Sequence, residues 1–108
     1  MVATVRHSAL DSERVETFLR YLETEWASVP AMSAAWANWD EADRLDLQLE
    51  WGIRDDRLGQ LREALVSGAL SRPQANRLAA VCELERRYRP LLETMWATEW
   101  ERSNITAK

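Results

Sequence analysis

From Leu10 onward the apolar residues Val15, Phe18, Leu19, Leu22 and Trp26 return at spacings of three, four and seven, with charged residues between them. That is one stripe of an amphipathic helix, so a first helix is expected over about residues 9–27. Ser28 before Pro30 suits a new N-terminus, because a first-turn position has no intrahelical bond for proline to lose. The alanine-rich stretch from Ala31 to Ala42 is strongly helix-forming. A second helix starts there.

Where this helix ends is ambiguous. Leu45, Leu47, Leu49, Trp51 and Ile53 alternate with Asp46, Gln48, Glu50 and Gly52, as they would in a half-buried strand. A strand needs a partner, and the other β-prone stretch is only Val2 to Val5, unless a second copy of the chain pairs with it. We read the segment as helix, with a local strand at 45–53 as the alternative. As helix it is apolar on two sides: Leu45 and Leu49 share one face, while Leu47 and Trp51 lie nearly opposite and extend the face of Met32, Trp36 and Trp39. Such a helix must be covered twice, and a second subunit is one way to cover the outer side.

Beyond Gly52, Asp55 or Asp56 is placed to cap a third helix carrying Leu58, Leu61 and Leu65, with Gly68 as the left-handed residue that ends it. Ser71-Arg72-Pro73-Gln74 then reads as a capping box with proline in the first turn, the sharpest local signal in the chain. The helix it opens runs through Leu78, Val81, Cys82 and Tyr88, supported by Glu83/Arg87 and Glu85/Arg89 at i,i+4 spacing. Pro90 is expected to kink or break it. Leu91, Leu92, Met95, Trp96 and Trp100 carry a helical stripe on to about residue 101, leaving Ser103 to Lys108 as a tail. The expected architecture is a single all-α domain over residues 1–108, a compact bundle of four or five helices with mobile ends at about 1–7 and 103–108.

Composition narrows the function more than the fold. A net charge of -4 argues against non-specific binding of polyanions by the whole surface, and no apolar run is long enough to span a bilayer or form a signal core. Cys82 is the single cysteine, which excludes an internal disulfide and fits a reducing, cytoplasmic compartment. His7 is the single histidine, so neither thiol nor hydroxyl nucleophile has a ready base, and no catalytic residue, cofactor or metal site is expected. The acidic run around Asp40, Asp43 and Glu50 lacks the spacing of a calcium loop or a helical di-metal site. Arg44 and Arg54 stand at i,i+4 to Asp40 and Glu50 as ion-pair partners.

Two surfaces remain as candidates. Six tryptophans are many for this length. Most suit a core, but Trp36, Trp39 and Trp51 on the second apolar face, rimmed by Asp40, Asp43 and Glu50, have the anatomy of an interface with an apolar centre and polar edge. They predict a small non-catalytic protein-binding module, acting as a homodimer or as a regulatory or adaptor subunit of the antitoxin kind. The alternative is a DNA-associated regulator using Arg72, Gln74, Asn76 and Arg77 at the start of a basic helix. Aligning Gly68 with the turn glycine of a helix-turn-helix, however, puts Glu63, Gln74 and Arg77 where apolar residues belong.

Overall fold

Three side-chain caps decide where this chain turns into helix. The Asp11 carboxylate accepts from the Arg14 N–H at 2.8 Å and opens α1, Ser12–Ala27. After a short α2, Val29–Ala35, with Pro30 in its first turn, the chain tightens into a 3-10 turn at Trp36–Asn38. Asp40 then accepts from the Asp43 N–H at 2.9 Å and opens α3, Glu41–Val66. Ser71 and Gln74 form the reciprocal capping box: the Ser71 N–H donates to Gln74 Oε1 at 3.0 Å and the Gln74 N–H to Ser71 Oγ at 3.2 Å, at the head of α4, Arg72–Ala107. The computed structural model describes residues 10–107, with side-chain surroundings for 10–102.

The protein is therefore all-α, but it is built on three long helices, with one short helical segment between the first two, and not on the bundle of four or five helices expected. The segment 45–53 is helix interior, and the described residues contain no strand. Asp55 and Asp56 do not cap a new helix, because Asp40 has already started the one that contains them. Gly52 is tolerated inside it. Pro90 does not break α4. Its ring is exposed, so the missing N–H falls on the solvent side, while Leu78 and Val81 before it and Leu92 and Met95 after it are all buried in one core. α4 also continues to Ala107, where a tail was expected from Ser103. The expected mobile end at 1–7, with His7, lies outside the described residues. Gly68 ends α3 as anticipated, at φ +78°, where a side chain would strain the backbone.

Ion pairs report the helix directions. Arg44–Glu99, Asp55–Arg89 and Arg62–Glu85 join α3 to α4 with numbers rising along one helix as they fall along the other, so the two are antiparallel. Arg77 reaches back to Glu16 and Glu23, and Arg89 lies over Trp26, so α4 runs parallel to α1. The core is continuous through all four helices, from Val15, Leu19 and Leu22 of α1 through Val29 of α2 and Leu58 and Leu61 of α3 to Leu78, Val81 and Leu92 of α4. With principal extents of 53 × 31 × 18 Å, the molecule is an elongated slab rather than a compact bundle. No helix among the described residues is long and apolar enough to cross a membrane.

Candidate interaction surface

The aromatic face predicted as an interface is mostly turned inward. Trp36 and Trp51 are buried, whereas Trp39 is half-buried. They belong to a chain of five indoles: Trp26 meets Trp51 edge-on at 5.2 Å, Trp51 meets Trp96 at 6.2 Å, Trp96 meets Trp36 at 5.6 Å, and Trp36 meets Trp39 at 5.5 Å. The sequence could not pair these rings, because they come from the three long helices and the turn before α3. The N–H groups of Trp26, Trp36 and Trp51 lack a hydrogen-bond partner, and edge-on stacking offers them only ring faces, which are weak acceptors. Two arginines cover this core. The guanidinium of Arg54 lies 4.8 Å over Trp51, and that of Arg89 lies 5.0 Å over Trp26.

The arginines expected to neutralise the acidic run are occupied elsewhere. Arg44 is buried and bonds Glu99 at 2.6 Å as well as the Trp39 carbonyl. Arg54, also buried, bonds Glu25 at 2.6 Å and the Glu50 carbonyl at 3.0 Å. Leu47, Trp51 and these two arginines occupy one face of α3 at spacings of three and four, so α3 turns an inward stripe containing two charged side chains. In the sequence they read as polar and hence as surface. Their burial leaves Asp40, Glu41, Asp43, Asp46 and Glu50 without an ion pair among the described residues. Asp40, Asp43, Asp46 and Glu50, together with Asn38, Trp39 and Leu47, line a shallow groove of about 710 Å³. The floor is apolar and the rim acidic. No three acidic, thiol or imidazole groups among the described residues are arranged to hold a metal ion.

The same helix carries a second apolar face, turned outward. Leu45, Leu49 and Ile53 are 52%, 72% and 47% exposed on the face of α3 directly away from the core. The alternation of apolar residues along 45–53 did announce a two-faced helix. It carried no sign of which face was inner, because that depended on partners for Trp51 on α1 and α4.

At the head of α4 the residues proposed to read DNA divide. Gln74 is buried, its side-chain N–H donating to Ser12 at 3.2 Å and Glu16 at 3.1 Å. Arg77 bonds Glu16 at 2.5 Å and Glu23 at 2.9 Å. These contacts hold the Glu16 carboxyl below its ordinary pKa, through the Gln74 bond first and Arg77 second, and hold that of Glu23 down mainly through Arg77. The guanidinium of Arg77 is pushed up by the same bonds. Arg72 and Asn76 are exposed. Farther along, Cys82 is half-buried with Arg62 Nη2 at 3.8 Å, and Glu85 joins Arg62 to Arg89. Burial works against ionisation of Glu85, but bonds from Arg89 and Arg62 outweigh it and lower its pKa.

No protein-family model, curated protein or solved structure matches the chain.

Proposed function

We propose that this chain is a non-catalytic protein-binding module, a regulatory or adaptor subunit that docks its partner on the N-terminal half of α3. The observation that carries this reading is the run of carboxylates without ion pairs beside the half-buried Trp39. Asp40, Asp43, Asp46 and Glu50 rim an apolar floor, and their would-be counterions are committed to the core. Clustered like charges repel one another in the free protein, and a basic partner relieves that repulsion while its approach is steered by the field. The aromatic anchor is Trp39, packed against the buried Trp36.

The test is affinity purification of the tagged protein from its native cell, with nuclease, followed by identification of stoichiometric partners. Wild type is expected to retain a protein partner that Trp39→Ala combined with Asp43→Lys loses, with helicity by circular dichroism unchanged. An identical partner set from wild type and variant defeats the reading. Loss of all partners on nuclease treatment would shift attention to Arg72 and Asn76, the two residues at the head of α4 that remain exposed.

A further inference from the structure

The exposed stripe of Leu45, Leu49 and Ile53 lies beside the acidic groove, not apart from it. At 100° per residue, going around α3 from the stripe leads next to Asp46 and Glu50, which also line the groove, and then to Asp43. On the other flank stands Glu41, which with Ala42, Leu45, Gln48 and Glu99 lines a second cleft of about 320 Å³ where α3 passes the C-terminal part of α4. Trp100, 66% exposed, follows Trp96 by one turn on the side of α4 that faces α3. The stripe is thus a two-turn run of one helix face whose first residue, Leu45, borders the cleft with α4, a shape that fits another helix laid alongside.

Charge decides which helix. Across residues 41–54 and 91–102 seven acidic residues stand against three arginines, of which Arg44 and Arg54 are buried on Glu99 and Glu25 and Arg102 is half-buried. Glu41, Asp46 and Glu50 flank the stripe without an ion pair, and Glu93 and Glu101 are exposed on α4. Pairing the stripe with its own copy across a two-fold axis would bring one acidic surface onto another, since both subunits present the same patch. A partner with basic flanks removes that penalty. Gly52 lies on the same outward face, and a Cβ there would meet nothing within 4 Å, so nothing inside this chain calls for glycine in mid-helix. A closely approaching partner backbone does call for it.

We propose that Leu45, Leu49 and Ile53 of α3 form the seat for an amphipathic helix of another protein whose apolar stripe is flanked by lysine or arginine. This rests on the protein-binding reading above and names the partner's chemistry and the side of α3 it occupies.

The probe is a fluorescein-labelled helical peptide of about three heptads with leucine at a and d and lysine at e and g, compared by anisotropy with the same peptide carrying glutamate at e and g. The lysine peptide is expected to bind the full chain, weakening as salt rises, and the glutamate peptide at least about tenfold more weakly. Leu49→Asp should cut affinity for the lysine peptide about tenfold or more, and Glu41→Lys with Asp46→Lys should reverse the preference between the peptides. Since all three side chains are exposed, these variants keep the fold, which circular dichroism checks. The proposal is overturned by equal binding of the two peptides, by no binding of the lysine peptide, or by binding indifferent to Leu49→Asp. It is also overturned if sedimentation finds a wild-type dimer that Leu49→Asp converts to monomer, because the occupant is then a second copy. A native partner whose capture survives Leu49→Asp but not Trp39→Ala with Asp43→Lys would sink this inference and leave the protein-binding reading standing.

Discussion

The two ends of the slab handle charge in opposite ways. At the end where α1 meets the head of α4, Arg77 bonds Glu16 and Glu23 and Gln74 bonds Ser12 and Glu16, so the polar groups there join helices to one another. At the other end, where the N-terminal half of α3 meets the C-terminal part of α4, the basic side chain goes inside, to Glu99, and the carboxylates around it are left facing out beside exposed leucines. The first end pairs its central charges internally, although Leu65 and Val66 at the end of α3 are exposed there as well. The second combines carboxylates that lack an ion pair among the described residues with exposed apolar surface on one helix, the combination expected of a docking site.

The largest effect is expected in the aromatic core at the second end. Trp51→Ala removes the ring that links Trp26 to Trp96 and is expected to cost about 3–5 kcal/mol in chemical denaturation. A loss under about 1 kcal/mol would mean that the indole chain is not the core of that end. Next comes the buried pair. Glu99→Ala leaves Arg44 charged and unpaired, at about 3–5 kcal/mol, whereas Arg44→Met with Glu99→Leu should recover most of that stability, since an apolar pair also fills the site. If the double variant is no better than the single, the pair is needed for its geometry and not merely for neutrality.

Smaller effects sharpen the contrast. Arg77→Met should cost about 1 kcal/mol at neutral pH, because its bonds are partly exposed to solvent. The folded-state carboxyls of Glu16 and Glu23 titrate below their ordinary value near 4.5. Their stabilising effect is therefore fully present above that value and lost as pH falls through the lowered pKa values. The gap between wild type and Arg77→Met, measured by urea unfolding from pH 7 to 3, should stay level and then close on the acid side. A constant gap would mean that the contact acts through packing alone. Gly52→Ala should stabilise the folded chain by about 1 kcal/mol, as open space surrounds the added methyl. Least of all, Leu49→Asp should change stability by no more than about 0.5 kcal/mol, whereas Leu47→Ala, two residues away and buried, should cost about 2–5 kcal/mol.

Much of the fold was legible because its signals are local. The stripe from Val15 to Trp26, the Ser71/Gln74 capping box and the glycine at 68 each involve residues within a turn or two of one another, and each is formed. The break before α3 was equally local, an Asp40 cap on the Asp43 N–H, but it was masked by the strand-like alternation that follows. Of the proposed interface, Trp39, Asp40, Asp43 and Glu50 come together around one groove, while Trp36 and Trp51 are buried in the aromatic core. Of the proposed DNA contacts, Gln74 and Arg77 are held by α1.

By itself, then, the sequence determined that the chain is helical, where its last long helix begins, and that the segment from Leu45 to Ile53 has two apolar sides. Periodicity and caps are properties of neighbouring residues, and they survive whatever the rest of the chain does. Only the tertiary structure decided which of those sides faces in, that Arg44 and Arg54 go in with it, and that the acids beside them stay unpaired. Those outcomes depend on Trp26, Glu25, Trp96 and Glu99, residues far away in sequence whose positions are fixed only when the helices pack.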